Sequence, residues 1–226
     1  MLLLWTISVA AVGQDQYNLK EIDGKLVCTG FETIEGVSEE DLFVKLLLWS
    51  IDQCPKFKEG LTELDFNKRS FALQSRLESP KRSENPAVYH FLADFAVSSD
   101  KLSFTFSRIE CESAGMLNMS TIIAFERMKP DKKPKHKVYM EEYKKQAAEY
   151  IRQLIEYLKT PQPFTVTHWD EIKRNKVVKG MNEAECLLSY GKPIEITKSD
   201  NGESRWRYDS YTYLFFKSGI LTSSIE

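Results

Sequence analysis

The sequence predicts an α+β fold in two parts, on the basis of three observations. Apolar residues alternate with polar ones between Val88 and Phe106, which is typical of an antiparallel hairpin. Apolar residues recur every three or four positions from Met140 to Leu158, which predicts a long helix. After Pro161 the pattern changes to short strands around one capped helix. We therefore expect an antiparallel sheet with helices, followed by a smaller α+β domain.

The composition is that of an ordinary globular protein. Of the 226 residues, 42% are hydrophobic and 28% are charged, which excludes collagen-like, coiled-coil and wholly disordered chains. The 31 Lys and Arg residues against 33 Asp and Glu give a net charge of −2. This balance argues against a nucleic-acid-binding protein, because phosphate contacts require a basic face.

The first residues of the chain predict export. Met1–Gly13 carry no charge, and Leu2–Val12 form an apolar run of the length found in signal peptides. This run is too short to span a bilayer, which takes about 20 apolar residues. Small residues precede Gln14, as cleavage requires. We expect a signal peptide over residues 1–13 and a periplasmic or cell-envelope protein without a lipid anchor, since no cysteine lies near the cleavage point. A buried N-terminal strand is the alternative.

The N-terminal domain is predicted to alternate strands and helices. Ser38 can cap a helix, because its hydroxyl can accept from first-turn amides, and the three acidic residues after it suit the positive helix end. This helix runs to Ile51 with little polar surface, so it must be covered. The predicted strands are Lys25–Ile34, Leu61–Phe66, Ser70–Glu78, Val88–Val97, the run from Leu102 to Phe106, and Thr121–Phe125. The predicted boundaries are residues 14–160 for this domain, 161–168 for a linker and 169–226 for the second domain.

The second domain is predicted to pack short strands on a single helix. Asn182 and Glu185 form a capping-box pattern, and Gly191 supplies the left-handed residue that ends a helix. Asp200-Asn201-Gly202 predicts a hairpin turn, because Asn-Gly tolerates positive φ angles. The short strands are predicted near Pro193–Lys198, Glu203–Tyr208, Tyr211–Phe216 and Ile220–Ile225.

Turn, cap and aromatic motifs of this domain follow one another in a recognisable order. They are Gly180-Met181-Asn182, the glutamate-containing helix, Gly191-Lys192-Pro193, Trp206-Arg207-Tyr208 and Phe216-Lys217-Ser218-Gly219. This series resembles the outer-membrane assembly lipoproteins that include BamE, and more broadly the BLIP-like fold. Asn182 stands where that family usually has Thr. The resemblance implies a small BLIP-like α+β domain.

The N-terminal domain carries a second, looser resemblance. Gly36-Val37-Ser38 leads into the first helix, and the Tyr89–Phe106 hairpin follows later. These features resemble a family of Bacteroidetes envelope proteins with a TATA-binding-protein-like fold. The resemblance implies a curved antiparallel sheet with helices on one face. The fold name describes shape alone, and the near-neutral charge argues against DNA.

The sequence contains no recognisable catalytic or metal-binding motif. His90, His136 and His168 do not share a metal-ligand spacing, and nucleophile-elbow and P-loop patterns are absent. Carboxylates flank Cys111 and would raise its thiol pKa, which is the wrong direction for a nucleophile. Cys186 lies in an apolar helical run and is expected to be a buried free thiol. We expect no enzyme activity, cofactor or metal. The disulfide pairing stays open for Cys28, Cys54, Cys111 and Cys186.

Aromatic residues of the last strands are the predicted binding site. Alternation places Trp206 and Tyr208 on one face, and Tyr211, Tyr213 and Phe215 together on one face of the next strand. One face should cover the predicted helix, and the other can form an exposed aromatic surface with a large contact area. The alternative is that these rings are core or scattered surface residues.

The loop Lys129–Lys137 is the predicted contact for an anionic lipid surface. It contains five lysines and one acidic residue, Asp131. Cations near an anionic surface are attracted to lipid or lipopolysaccharide phosphates. A solvated loop is the alternative.

Together these observations predict a non-enzymatic, exported cell-envelope protein whose second domain binds an unidentified envelope protein or serves in envelope assembly. An alternative is small-molecule or lipid binding between the N-terminal sheet and its long helix, because many Phe and Tyr residues face that gap. A hydrolase with unrecognised residues is a third hypothesis. We expect no nucleic-acid partner.

Overall fold

The computed structural model describes residues 19–54, 56–80, 83–114, 120–161 and 165–226. The helices are α1 (Glu39–Gln53), α2 (Phe57–Gly60), α3 (Pro134–Lys159), α4 (Trp169–Lys173) and α5 (Glu183–Tyr190). The strands are β1 (Leu19–Ile22), β2 (Lys25–Thr33), β3 (Leu61–Asp65), β4 (Ser70–Glu78), β5 (Ala87–Ser98), β6 (Lys101–Ala114), β7 (Ser120–Ala124), β8 (Glu195–Lys198), β9 (Glu203–Arg207), β10 (Tyr213–Lys217) and β11 (Ile220–Ile225). The predicted signal peptide lies outside these residues, as do residues 162–164 of the predicted linker.

The N-terminal part is a seven-stranded antiparallel sheet. Its order is β1-β2-β6-β5-β4-β3, and β7 pairs with the far end of β6. Strand β5 shows the predicted alternation, with every second residue from Ala87 to Val97 buried on the helix side. The period of two follows from the pleat, which points successive side chains to opposite faces. The α+β class and the antiparallel sheet are confirmed.

Helix α1 lies in the centre of the molecule. The Ser38 hydroxyl accepts from the Asp41 amide, as predicted, and ten consecutive residues from Leu42 to Ile51 are buried. Lys45 is among them, and its ammonium donates to the carbonyls of Leu158 (2.9 Å) and Thr160. The last carbonyls of a helix lack partners within it, so Lys45 caps the end of α3 from a neighbouring helix.

Helix α3 begins earlier than the sequence predicted. Pro134 is at its first turn, where a residue without an amide hydrogen costs nothing. The predicted loop over Lys129–Lys137 is therefore half helix. His136, expected in an exposed loop, is 8% exposed, and its Nδ1 accepts from the Lys129 amide at 2.9 Å. The buried face of α3 begins at His136 and Tyr139. Because lysines flank these two residues in the sequence, the helical period was not apparent there.

Aromatic rings fill the gap between the sheet and helices α1 and α3. Tyr143 packs on Tyr89 with ring centroids 5.6 Å apart, and Tyr150 packs on Trp49 at 4.6 Å. Phe106 is fully buried among its neighbours. Protein interiors packed this closely leave little free volume. The packing therefore does not favour the alternative that a small molecule or lipid binds in this gap.

The C-terminal part is a four-stranded antiparallel sheet with the order β11-β10-β9-β8. Helix α5 lies on it, with the predicted capping box between Asn182 and Glu185 and a positive φ of 80° at Gly191. The predicted hairpin turn joins β8 and β9. Gly202 has a positive φ of 79° there, whereas Asn201 does not adopt the positive φ that an Asn-Gly pair tolerates. The short elements β1, α2 and α4 were not predicted. The helices α2 and α4 contain little more than one turn, which is too short to show a helical period.

The two parts share one continuous cluster of buried apolar residues. The Lys58 ammonium donates to the Leu188 carbonyl at 3.1 Å, and the Trp169 indole donates to the Glu40 carboxylate at 2.8 Å. The Trp169 ring also packs on Phe66 with centroids 5.7 Å apart. Helices α1 and α4 therefore join the sheets, and the division into domains at residues 161–168 stays a prediction. None of the helices in the described ranges has the length and apolarity needed to cross a membrane.

Candidate functional site

The second sheet has one covered face and one open face. Trp206, Leu214, Phe216 and Leu221 are at most 3% exposed and point to α5. Alternation along β9 and β10 therefore turns Arg205, Tyr213 and Phe215 outward, while the loop before β10 carries Tyr211. The outward set, together with Ile225 opposite Tyr213, is called the outer patch below; its residues are Arg205, Tyr211, Tyr213, Phe215 and Ile225.

Two of the predicted site residues belong to the framework instead. Trp206 is 3% exposed and packs on Phe216 with ring centroids 4.6 Å apart. Tyr208 is half-buried, its hydroxyl donates to the Gly191 carbonyl at 3.1 Å, and its ring meets Tyr190 edge-on. Burial raises the pKa of the Tyr208 phenol. The expectation that Trp206 offers contact surface is thus corrected: it lies on the covered face because α5 packs there.

The other three predicted residues lie on the open side. Tyr213 and Phe215 are half-exposed on β10, and Tyr211 is 79% exposed in the loop before it. This loop is fixed by Asp209, whose carboxylate accepts from the amides of Tyr211 and Thr212, both at 2.7 Å. These amides hold the pKa of the Asp209 carboxyl below its ordinary value. The loop thus presents Tyr211 from an ordered turn.

Charged residues surround the outer patch. The Arg205 guanidinium lies 5.8 Å from the centroid of the Tyr213 ring, within the range of a cation–π contact. At the β8 side Arg207 pairs with Glu195 at 2.8 Å. A cleft of about 630 Å³ lies on this face, lined in part by Phe215. An aromatic centre with an ion-paired rim is the usual anatomy of a protein interface.

A larger cleft, of about 1100 Å³, lies between β3, α4 and α5. Burial lowers the pKa of Lys58 to about 8, and its ammonium donates to Asn175 Oδ1 and to the Leu188 carbonyl. The Tyr190 hydroxyl donates to Glu226 at 2.7 Å. Sequence reasoning missed this cleft, because its walls come from distant segments. Its principal polar groups already bind one another, so the cleft is first of all a junction between the two sheets.

The three histidines lie in separate environments. His90 bonds Glu112 at 2.9 Å on the open face of the large sheet, while His168 bonds the buried Glu185 at 3.0 Å. His136 bonds a backbone amide, as described above. Within the part of the chain that the structure describes, no group of three or more His, Cys, Asp and Glu side chains is arranged to hold a metal.

Three of the four thiols are buried, and burial raises their pKa values. Cys186 is a free, fully buried thiol, as predicted, and burial raises its pKa to about 12. Burial also raises the thiol pKa of Cys28 and of Cys111 to about 11. For Cys111 the sequence predicted the direction of the shift but attributed it to the flanking carboxylates. The structure assigns it first to burial and then to Glu142.

The chain resembles solved structures, among them the following two. A TBP-like protein from Parabacteroides distasonis superimposes with a TM-score of 0.55 at 10% identity, covering 64% of this chain and 99% of its own. A DUF4468 family protein from Bacteroides ovatus gives a TM-score of 0.47 at 14% identity, covering 68% of this chain and 95% of its own. No family model and no curated protein sequence matches the chain.

The first of these likenesses concerns the fold. It confirms a TBP-like architecture for the N-terminal part, as the looser resemblance implied. At 10% identity the likeness shows shape alone. The comparisons do not show the resemblance of the C-terminal part to the assembly lipoproteins.

Proposed function

We propose that this chain is an exported cell-envelope protein without catalytic function, and that it binds another protein through the outer patch. The observation that carries the proposal is the composition of this patch. Tyr211, Tyr213 and Phe215 present aromatic surface around Arg205, and these are the residue types enriched at interface centres. A partner of matching chemistry offers an apolar ridge flanked by a carboxylate for Arg205.

The residues that pack beneath the outer patch hold it in one conformation, which favours binding. Trp206 and Phe216 pack against each other on the covered side and hold β9 and β10 in place. Little conformational entropy is therefore lost when a partner binds. The patch also borders β8, the terminal strand of its sheet, whose four residues are all exposed. An edge strand can pair with an extended segment, which is a recurrent mode of peptide recognition.

The resemblance of the C-terminal part to the assembly lipoproteins supports the same proposal. Here its motif residues serve the fold: Asn182 caps α5, Gly191 ends it, and Trp206 is core. A BLIP-like domain on a TBP-like sheet would present its open face to an envelope partner. We propose binding to an envelope protein on this ground, and no nucleic-acid or cofactor binding.

Export is tested by the N-terminus of the mature protein. Cleavage after Gly13 removes an uncharged segment and leaves Gln14 first. We expect mass spectrometry of the envelope fraction to find this N-terminus. The variant Gly13→Leu replaces the small residue that cleavage requires, so its uncleaved chain should accumulate. A mature protein that retains residues 1–13 in the cytoplasmic fraction contradicts the export proposal.

The binding proposal is tested by photo-cross-linking in intact cells. A photoreactive amino acid is placed at Tyr211, which is 79% exposed at the patch, and separately at Phe31, which is 64% exposed on the other sheet. We expect a discrete adduct with one other protein from position 211 and none from position 31. The double variant Tyr213→Ala/Phe215→Ala should abolish the adduct while leaving the melting temperature of the protein within a few degrees.

Four results contradict this proposal. The first is the absence of an adduct at position 211, and the second is the same adduct at both positions. The third is an adduct with a second copy alone, which makes the patch a self-association surface. An adduct that persists in the double variant shows that Tyr213 and Phe215 do not contribute to the contact, which also contradicts the proposal.

A further inference from the structure

The segment from Arg127 to Lys137 carries a strong excess of positive charge. It contains six cations and one acid, a net charge of +5, so the remainder of the chain carries −7. All six cations are exposed. This segment is called the basic segment below, and its cations are Arg127, Lys129, Lys132, Lys133, Lys135 and Lys137.

Helix α3 begins in the basic segment, against the usual placement of charge on helices. α1 begins with Ser38 and three acids, and α5 begins with Asn182 and two acids. α3 has no acid in its first turn, and Lys133 at its N-cap makes no side-chain hydrogen bond there. Cations at the positive end of a helix are unfavourable. Local rules of this kind are broken most often at functional sites.

These cations also form no close ion pairs, unlike those further along α3. Lys144 pairs with Glu141 at 2.8 Å, and Arg152 pairs with Glu149 and Glu156. One acidic neighbour of the basic segment is Glu141, whose pKa is lowered chiefly by its hydrogen bond to Lys144 and to a lesser extent by the charge of Lys137. Among the described residues, no carboxylate lies within 4.0 Å of any cation of the basic segment. Their charge is therefore directed to solvent and available to a partner.

Two buried side chains, His136 and Tyr139, hold the basic segment against the rest of the protein. The His136 ring is buried and accepts from the Lys129 amide, which closes the loop onto the first turn of α3. Tyr139 is 3% exposed, and the Lys135 ammonium lies 5.3 Å from its ring centroid. Beside these cations Val138 is 45% exposed. The segment is thus an ordered positive surface, and one exposed apolar side chain, that of Val138, lies next to it.

We propose that the basic segment docks on an anionic lipid surface. Five of its six cations are lysines, which attract headgroup phosphates as hydrated point charges rather than as bidentate partners. Val138 can enter the headgroup layer between them. Nucleic acid fits less well, because the segment exposes no aromatic ring on which a base could stack. The remainder of the chain has a net charge of −7 and is repelled by an anionic membrane. This repulsion orients the protein with the basic segment toward the membrane.

The test is vesicle co-sedimentation of the full chain. Vesicles of phosphatidylcholine in which about one lipid in three is anionic phosphatidylglycerol are compared with vesicles of phosphatidylcholine alone. The variant Lys132→Gln/Lys133→Gln/Lys135→Gln is compared with Lys101→Gln/Lys179→Gln/Lys198→Gln, three exposed lysines elsewhere. Both triple variants change the net charge equally. Binding through apolar residues 2–12 is common to all variants and appears with neutral vesicles.

We expect the wild type and the control variant to bind anionic vesicles within twofold of each other, and this binding to weaken as salt rises. Each cation near an anionic surface strengthens binding about fivefold, so the basic-segment variant should bind about a hundredfold more weakly. Equal losses in both variants, or equal binding to neutral vesicles, overturn the proposal. Release by millimolar inorganic phosphate points to a free-anion site, and tighter binding to duplex DNA at the same salt points to nucleic acid; either result also overturns it.

Discussion

The two sheets of this molecule hold their covering helices by different means. The large sheet meets α1 and α3 through a wide layer of rings, in which Phe106 and Tyr143 are fully buried. The small sheet is covered by α5, which has only eight residues. Several hydrogen bonds hold that helix. The most buried of them belong to Glu185, whose carboxylate accepts from the amides of Thr167, Asn182 and His168 and so ties α5 to the segment before α4.

The difference follows from size. A broad sheet buries enough apolar area to retain its helices without many polar contacts. A helix of two turns is marginal on its own and buries little, so its ends must be fixed by hydrogen bonds. The small sheet therefore depends on the positions of a few polar atoms, while the large sheet depends on packed volume. Four substitutions test this contrast, from the largest expected effect to the smallest.

The largest effect is expected in the ring layer. Phe106 is 0% exposed and lies 4.9 Å from the Phe91 ring and 5.8 Å from the Tyr150 ring, measured between centroids. Phe106→Ala removes these contacts and leaves a cavity, which should lower the free energy of unfolding by about 3–5 kcal/mol. Urea denaturation measures this change. The control is Phe31→Ala on the open face, which should stay within about 0.5 kcal/mol of the wild type.

An intermediate effect is expected at Glu185. Glu185→Gln keeps the shape of the side chain but places an amide nitrogen where a carboxylate oxygen accepts from a backbone amide. We expect a loss of about 1–3 kcal/mol in the free energy of unfolding. The control is Glu183→Gln, a neighbouring acid in the same first turn that makes only a long contact to Ser204. If both variants lose the same stability, the small sheet does not depend on the Glu185 anchor.

The same carboxylate predicts a pH dependence. Burial raises the pKa of Glu185, but the amides of Thr167, Asn182 and His168 outweigh burial, so its pKa lies below the ordinary 4.5. A lowered pKa in the folded state contributes stability above pH 4.5, and this contribution is lost as the pH falls through the folded pKa. Denaturation midpoints at pH 7 and about pH 3 should therefore differ more for the wild type than for Glu185→Gln. Parallel pH profiles contradict this assignment.

The smallest effect comes from two matched Tyr→Phe substitutions. The Tyr208 hydroxyl donates to the Gly191 carbonyl, so Tyr208→Phe should cost about 1 kcal/mol in the free energy of unfolding. The Tyr143 hydroxyl is buried and has no hydrogen-bond partner among the described residues. Tyr143→Phe should therefore be neutral or slightly stabilising, within about 0.5 kcal/mol. Equal costs for both variants mean that a bound water serves Tyr143, and the contrast between the two sheets is then weaker.

Local features of the chain were predictable wherever the signal lay within a few residues. Ser38 and Asn182 cap helices where the sequence placed them, and the predicted hairpin turn at Gly202 is present, with a positive φ at Gly202 but not at Asn201. Helix α3 was predicted six residues short, because lysines surround the start of its apolar stripe at His136. Short elements such as α4 gave no signal, since five residues contain too little periodicity.

The candidate site was predictable only in part. Alternation correctly separated Trp206 from Tyr213 and Phe215, because the pleat fixes which side chains share a face. It could not say which face α5 would cover, and Trp206 proved to be on the covered one. The cleft beside Lys58 could not be predicted at all, since its walls come together only when the two sheets pack.

The sequence by itself determined the caps, the turns, the strand alternation and the charge of the basic segment, because each depends on residues that are neighbours along the chain. Tertiary structure decided which sheet face stays open, that His136 is buried while its flanking lysines remain unpaired, and that Glu185 anchors the segment before α4. These outcomes depend on contacts between residues far apart in sequence. Such contacts are selected by the total area buried and the polar groups satisfied, which no local pattern contains.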